Sequence, residues 1–266
     1  MWIPRHWARV SEGGRTALGW SDAGVDEARA KARERLSRLL ALGDEPAPDD
    51  WDYYPSTPLK EEILETRPLA GVTALVTRNR AGAEVLNVER VAFVDVDLPE
   101  KPRGFLGGLF GKPRGPDAVQ RALGRVEAWC ESNRARVRAY RTARGLRLLR
   151  LDALVDPAGE ACQGMFTALG ADPRYAELCR VQKSFRARLT PKPGRVGCPG
   201  APGSHPRSEV DQAAFRSWLE NYRSASAERA VCTVLGEYGS ATALAPALAV
   251  AAYHDSRTLR PESELA

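Results

Sequence analysis

The sequence predicts an α+β fold with a central mixed or antiparallel sheet and helices at both ends of the chain. Three observations carry this reading. Short apolar runs come in adjacent pairs, at 72–97 and again at 135–152, which is the pattern of hairpins. Segments with apolar residues every three or four positions separate and flank those pairs. No GxGxxG follows any strand, so a doubly wound parallel sheet with a dinucleotide-binding half is not expected. A chain of 266 residues holds one large domain or a main domain with an appendage. The expected division is a helical N-terminal extension over 1–69, an α+β core over 70–200, and C-terminal helices packed on it over 201–266.

Taken in order, "SDAGVDEARAKARERLSRLLALG" is the first helix. Val25, Ala28, Ala32, Leu36 and Leu39 form one stripe, and Gly43 marks the stop. After an acidic, proline-rich loop, "STPLKEEILE" reads as a second helix capped near Ser56 and Thr57. "GVTALVTRNR" and "AEVLNVERVAFVDVDLP" read as neighbouring strands turning at Arg80-Ala81-Gly82. "PEKPRGFLGGLFGKPRGP" is a Gly/Pro-rich loop. Its GK lacks P-loop spacing and is followed by proline where Ser or Thr is needed. Residues 116–132 form a helix with Val119, Leu123, Val126 and Trp129 or Cys130 inward. "ARVRAYRTARGLRLLRLDALVD" is a hairpin turning near Thr142–Gly145. Two short helices, broken at Gly170 and Pro173, lead to a strand in "FRARLTP". A loop follows over 191–207, and two helices, 209–236 and 241–254, close the order.

Composition narrows the class. Apolar content of 43% and charged content of 27% suit a soluble globular protein. The apolar run "ATALAPALAVAAY" is interrupted by proline and is too short for a bilayer, which takes about 20 residues. A cytoplasmic protein without a membrane partner is the expectation. Five dispersed cysteines argue against a disulfide framework or a CxxC zinc knuckle, and Cys130, Cys162 and Cys179 read as small buried apolar residues. The net charge is +5, with only six lysines among 39 basic residues. Arginine suits bidentate phosphate recognition, although a GC-rich genome also writes Arg and Ala freely.

The sharpest chemical signal is "RVAFVDVDLPE". Residues two apart on a strand share a face, so Asp95 and Asp97 stand roughly 6–7 Å apart at the end of a buried stripe. Carboxylates this close repel, and a hard divalent cation, Mg²⁺ or Mn²⁺, relieves the repulsion. The plain alternative is a strand emerging into solvent. The second signal is the hairpin: seven arginines and no acid lie between Glu131 and Asp152. Arg134, Arg136 and Arg138 alternate with apolar residues, while Tyr140, Thr142, Arg144 and Gly145 gather at the tip. Arg186 and Arg188 share one face of the later strand, and Lys192 and Arg195 continue the basic theme. The candidate phosphate contacts are Arg141, Thr142, Arg144, Arg147, Arg186 and Arg188. Asp95 and Asp97 are the metal ligands, with Asp152 as a third carboxylate.

An apolar strand ending in DxD, then a helix, then a strand–turn–strand, resembles the catalytic core of the archaeo-eukaryotic primase superfamily over about residues 70–190. The resemblance implies an RRM-like core, metal-ligand roles for Asp95 and Asp97, and a nucleotide or nucleic acid as partner. The chain departs from the pattern in having no histidine after the hairpin turn, which leaves Arg144 or Arg147 as the nucleotide contact. Asp152 lies earlier than the third acidic motif. The implied function is metal-dependent nucleotidyl transfer or a degenerate form of it. A non-enzymatic nucleic-acid binder using the arginine hairpin and Tyr140 is the alternative, ahead of a DxD phosphatase or glycosyltransferase.

Overall fold

The computed structural model describes residues 1–41, 58–99 and 117–266. The chain is α+β, and among the described residues the ten strands all pair antiparallel. At the N-terminus, β1 (His6–Glu12) and β2 (Arg15–Ser21) form a hairpin on which α1 (Val25–Ala41) lies. The helix approaches so closely that a Cβ on Gly19 would sit 2.1 Å from the Ala28 carbonyl oxygen. The N-terminal segment is therefore a ββα unit, where a helical extension was expected. Alternation in "HWARVSE" and "RTALGWS" is the signal for the hairpin, and Ala28 and Ala32 are the small residues that let the helix seat on it.

The second expected helix is a strand. β3 (Glu62–Thr66) pairs with β4 (Ala74–Arg78), so "KEEILE" follows its sheet neighbour against its local helical preference. Ser56 and Thr57 lie outside the described residues. The chain turns through Asn79–Gly82 into β5 (Glu84–Val88), as the sequence predicts. The next strand, β6 (Phe93–Asp97), leaves that hairpin for a different sheet. α2 (Ala118–Asn133) carries a capping box, with Asp117 accepting from the Gln120 amide. β7 (Val137–Thr142) and β8 (Gly145–Arg150) are the arginine hairpin. α3 (Glu160–Leu169), α4 (Pro173–Gln182) and β9 (Phe185–Arg188) follow where expected. α5 (Glu209–Ser226) stops earlier than the predicted 236. The β-rich "CTVLGEY" becomes β10 (Cys232–Tyr238), and α6 (Ala245–Thr258) ends the fold.

One four-stranded sheet has the order β10-β7-β8-β6 and the other β3-β4-β5-β9. β6 and β7 both run antiparallel to β8 and are joined by α2, which makes a split βαβ unit. Both sheets share one apolar core, in which Val76, Leu86, Phe93, Leu148, Phe185 and Val250 are buried. The expected boundaries at 69/70 and 200/201 both cut sheets, because β3 and β10 complete them from the flanking segments.

Candidate functional site: a cationic cleft where two sheets part

The site forms where edge strand β6 meets edge strand β9. Side chains, not a ladder, join the two edges. The buried Tyr175 hydroxyl lies 3.0 Å from both the Phe93 and Arg186 carbonyl oxygens, and the Asp172 amide donates to the Asp95 carbonyl at 2.9 Å. One step further along, Arg147 spans the seam. Its Nη1 donates to the Arg188 carbonyl at 3.0 Å, while Nε and Nη2 grip both carboxylate oxygens of Asp95 at 2.9 and 3.3 Å. Beyond that clasp the edges carry Asp97 on one side and the segment to Arg195 on the other. A cleft of about 780 Å³ opens here, lined by Leu98, Val119, Arg141, Ala143, Arg144 and Arg195 among others.

Asp95 thus faces a cation, but the cation is Arg147, its direct cross-strand partner. The Arg147 side chain is 1% exposed. Burial alone would pull its pKa down, but the charge and hydrogen bonds of Asp95 outweigh burial and hold it above the ordinary value. Both Asp95 oxygens are engaged, and Asp97 is exposed with cations around it. The pair therefore does not fit as a Mg²⁺ or Mn²⁺ site: one carboxylate is neutralised and the local excess is positive. Among the described residues, no three His, Cys, Asp or Glu side chains converge as a metal group.

Asp152 is not a third ligand. The register sets Asp97 opposite Gly145 and Phe93 opposite Leu149, so Asp152 lies beyond the far end of β8. There it accepts from the Arg136 amide and from Arg150. The hairpin arginines are also largely compensated. Arg136 and Arg138 pair with Glu237 of β10, Arg138 also with Asp255, and Arg134 is the left-handed cap of α2 rather than a strand residue. Arg186 points into the other sheet's polar network, with Glu61 and Asn87, and is not at the cleft. Thr142 accepts the Gly145 amide, closing the turn, and Arg141 donates to the Gly145 carbonyl. Gly145 is there for the neighbouring strand, since a Cβ would lie 1.9 Å from the Val96 carbonyl oxygen.

Arg141, Arg144 and Arg195 line the cleft, and Arg188 and Lys192 lie close enough to Arg195 to feel its charge. The Arg188 pKa is pushed down to about 10, by burial first and then by Arg147, with Asp95 and Asp97 opposing. Lys192 is lowered by Arg188, by burial, and by Arg195 and Arg144. Arg195 is lowered by burial and by Arg144. Arg188, Lys192 and Arg195 form no ion pair among the described residues. Such crowding of like charge destabilises a fold unless an anion joins it. Arg144 and Arg188 were among the predicted contacts. Lys192 and Arg195 carried only the signal of basic residues in a Pro/Gly loop.

His254 and Asp255 are neighbours on α6 and lie behind the Arg147 clasp. His254 is fully buried beside Arg147, 3.4 Å from Nη1 through Nε2, with Nδ1 3.2 Å from Asp255. Tyr140 and Arg138 both donate to Asp255. Burial, seconded by Arg147, pushes the His254 pKa down to about 4, with the Asp255 hydrogen bond opposing. A neutral His254 with its proton on Nδ1 accepts from Arg147 and orients it. Nothing local marked it, because its partner Arg147 lies 107 positions away.

The chain matches no protein-family model, no curated protein and no solved structure. Among the described residues, no helix is long and apolar enough to cross a membrane.

Proposed function

We propose that the protein binds the phosphates of a nucleotide or nucleic acid in the cleft between the end of β6, the start of α2, the β7–β8 turn and Arg195. One observation carries the reading: a cleft of ligand size is lined by Arg141, Arg144 and Arg195, and Arg195 belongs to a group of cations with Arg188 and Lys192 that the nearby Asp97 only partly offsets. A phosphate group brings the compensating charge and accepts the bidentate hydrogen bonds that guanidinium groups offer. The split βαβ unit, with its DxD strand running into α2 and the arginine hairpin, is the order that the primase-core resemblance implies, and it supports a nucleotide as ligand. Arg147, fixed by Asp95 and His254, is a positioning residue that holds Arg188 at the seam. Metal-dependent transfer is not part of this reading, because Asp95 is already paired.

The test is calorimetric titration of ATP into the wild type, Arg188→Met and Lys192→Met/Arg195→Met, each with and without Mg²⁺. Binding without metal is expected, weakened roughly tenfold for each cation removed. The same variants should unfold at equal or higher temperature, because like-charge repulsion is relieved. Undetectable ATP binding, or affinity that ignores these substitutions, would overturn the proposal. Binding that strictly requires Mg²⁺ would return the aspartates to a metal role.

A further inference from the structure

Resting on that reading, we propose that Tyr222 and Trp218 of α5 are positioning residues for phosphate binding: they pin both ends of the loop that carries Arg195 and so hold its guanidinium at the cleft. Phe215, Trp218 and Tyr222 follow one another at spacings of three and four, which puts them on one face of α5, and all three are buried. Their rings form a column, with centroids 5.6 and 4.9 Å apart and planes within 24° and 12° of parallel. The β4–β5 turn closes on this column, since a Cβ on Gly82 would lie 2.1 Å from the Trp218 ring.

Two members of the column reach the loop through their polar atoms. The Tyr222 hydroxyl donates to the Pro191 carbonyl at 2.6 Å and lies 2.8 Å from Thr190 Oγ1, which accepts from the Glu84 amide at 2.8 Å. At the other end of the loop the Trp218 indole N–H donates to the Pro199 carbonyl at 2.9 Å. Between these ties the backbone folds on itself. The Val196 and Cys198 amides both donate to the Pro193 carbonyl at 3.0 Å, and both side chains pack on the aromatic cluster. Arg195 is the neighbour of Val196 and lines the cleft with Arg144, whose charge repels it. A cation in such company moves away unless its backbone is held. Holding it before the ligand arrives also spares the ordering entropy that a free loop loses on binding.

The experiment is a double-mutant cycle on the full chain, read by calorimetric titration of ATP. Tyr222→Phe/Trp218→Phe keeps three aromatic rings in the column and removes both donors. Circular dichroism checks that this variant is folded, and Tyr222→Phe alone replaces it in the cycle if it is not. The variant should bind ATP roughly threefold to tenfold more weakly than the wild type. Arg195→Met should weaken ATP about tenfold in the wild type and less than about threefold in the variant, where Arg195 is no longer held. A merely structural role for the two rings lowers the urea midpoint but leaves the Arg195→Met effect at about threefold or more, which overturns the inference and leaves phosphate binding standing. A wild type that binds no ATP, or whose affinity ignores Arg195→Met, removes the proposed function and this inference with it.

Discussion

Asp95→Asn tests the most consequential feature of the seam, the pairing of Asp95 with the buried guanidinium of Arg147. The substitution keeps the side-chain shape and one acceptor oxygen, and it removes the charge facing Arg147. Two unit charges about 4 Å apart at an effective dielectric of about 20 attract by roughly 4 kcal/mol. Breaking a buried pair by deleting one partner costs about 3–5 kcal/mol, because the other charge is left without compensation. The Arg147 side chain is 1% exposed but that of Asp95 is 29% exposed, so water reaches one member and the lower end applies. We expect a loss of about 3 kcal/mol in urea unfolding followed by circular dichroism, which shifts the midpoint by about 1 M or more at a typical slope. Asp97→Asn, at an exposed position, should change stability by less than about 0.5 kcal/mol. Adding Arg147→Met to Asp95→Asn should recover part of the loss, since the orphaned charge goes with it. If Asp95→Asn is as silent as Asp97→Asn, the clasp does not hold the seam and the account of the site fails.

Three further outcomes follow from the same geometry. Asp97→Asn removes the carboxylate nearest these cations, so ATP affinity measured by calorimetry should rise by roughly threefold to tenfold; a fall would mark Asp97 as a metal ligand. His254 titrates near 4 when folded against an ordinary 6.5, so between those values the unfolded chain binds more protons. Stability therefore falls as pH drops through that window, by about 3 kcal/mol in full. His205 is shifted the same way, so urea midpoints from pH 7 to 4 should be compared in His205→Gln with and without His254→Gln; an unchanged slope would refute the buried neutral histidine. Gly145→Ala forces a methyl against the Val96 carbonyl, and thermal unfolding should register a loss of about 1–3 kcal/mol. A neutral substitution there would mean that β6 and β8 can separate freely.

By itself the sequence determined what depends on neighbours along the chain. The split βαβ unit was legible because each piece has its own local signal. Alternation marks β7, an apolar run marks β6, apolar residues at helical spacing mark α2, and a small residue starts β8. The density of arginine and the lack of acids between Glu131 and Asp152 were equally plain, and they pointed to phosphate chemistry. What only the tertiary structure decided is which of these charges are already paired. Asp95 meets Arg147 across 52 positions, Arg138 meets Glu237 across 99, and Arg186 meets Glu61 across 125. Composition counts charges, but a site is made by those left over after pairing, and pairing is set by sheet register. The same reason explains β3 and β10. Their residues tolerate helix or strand locally, and the open edges of β4 and β7 made the choice by supplying hydrogen-bond partners.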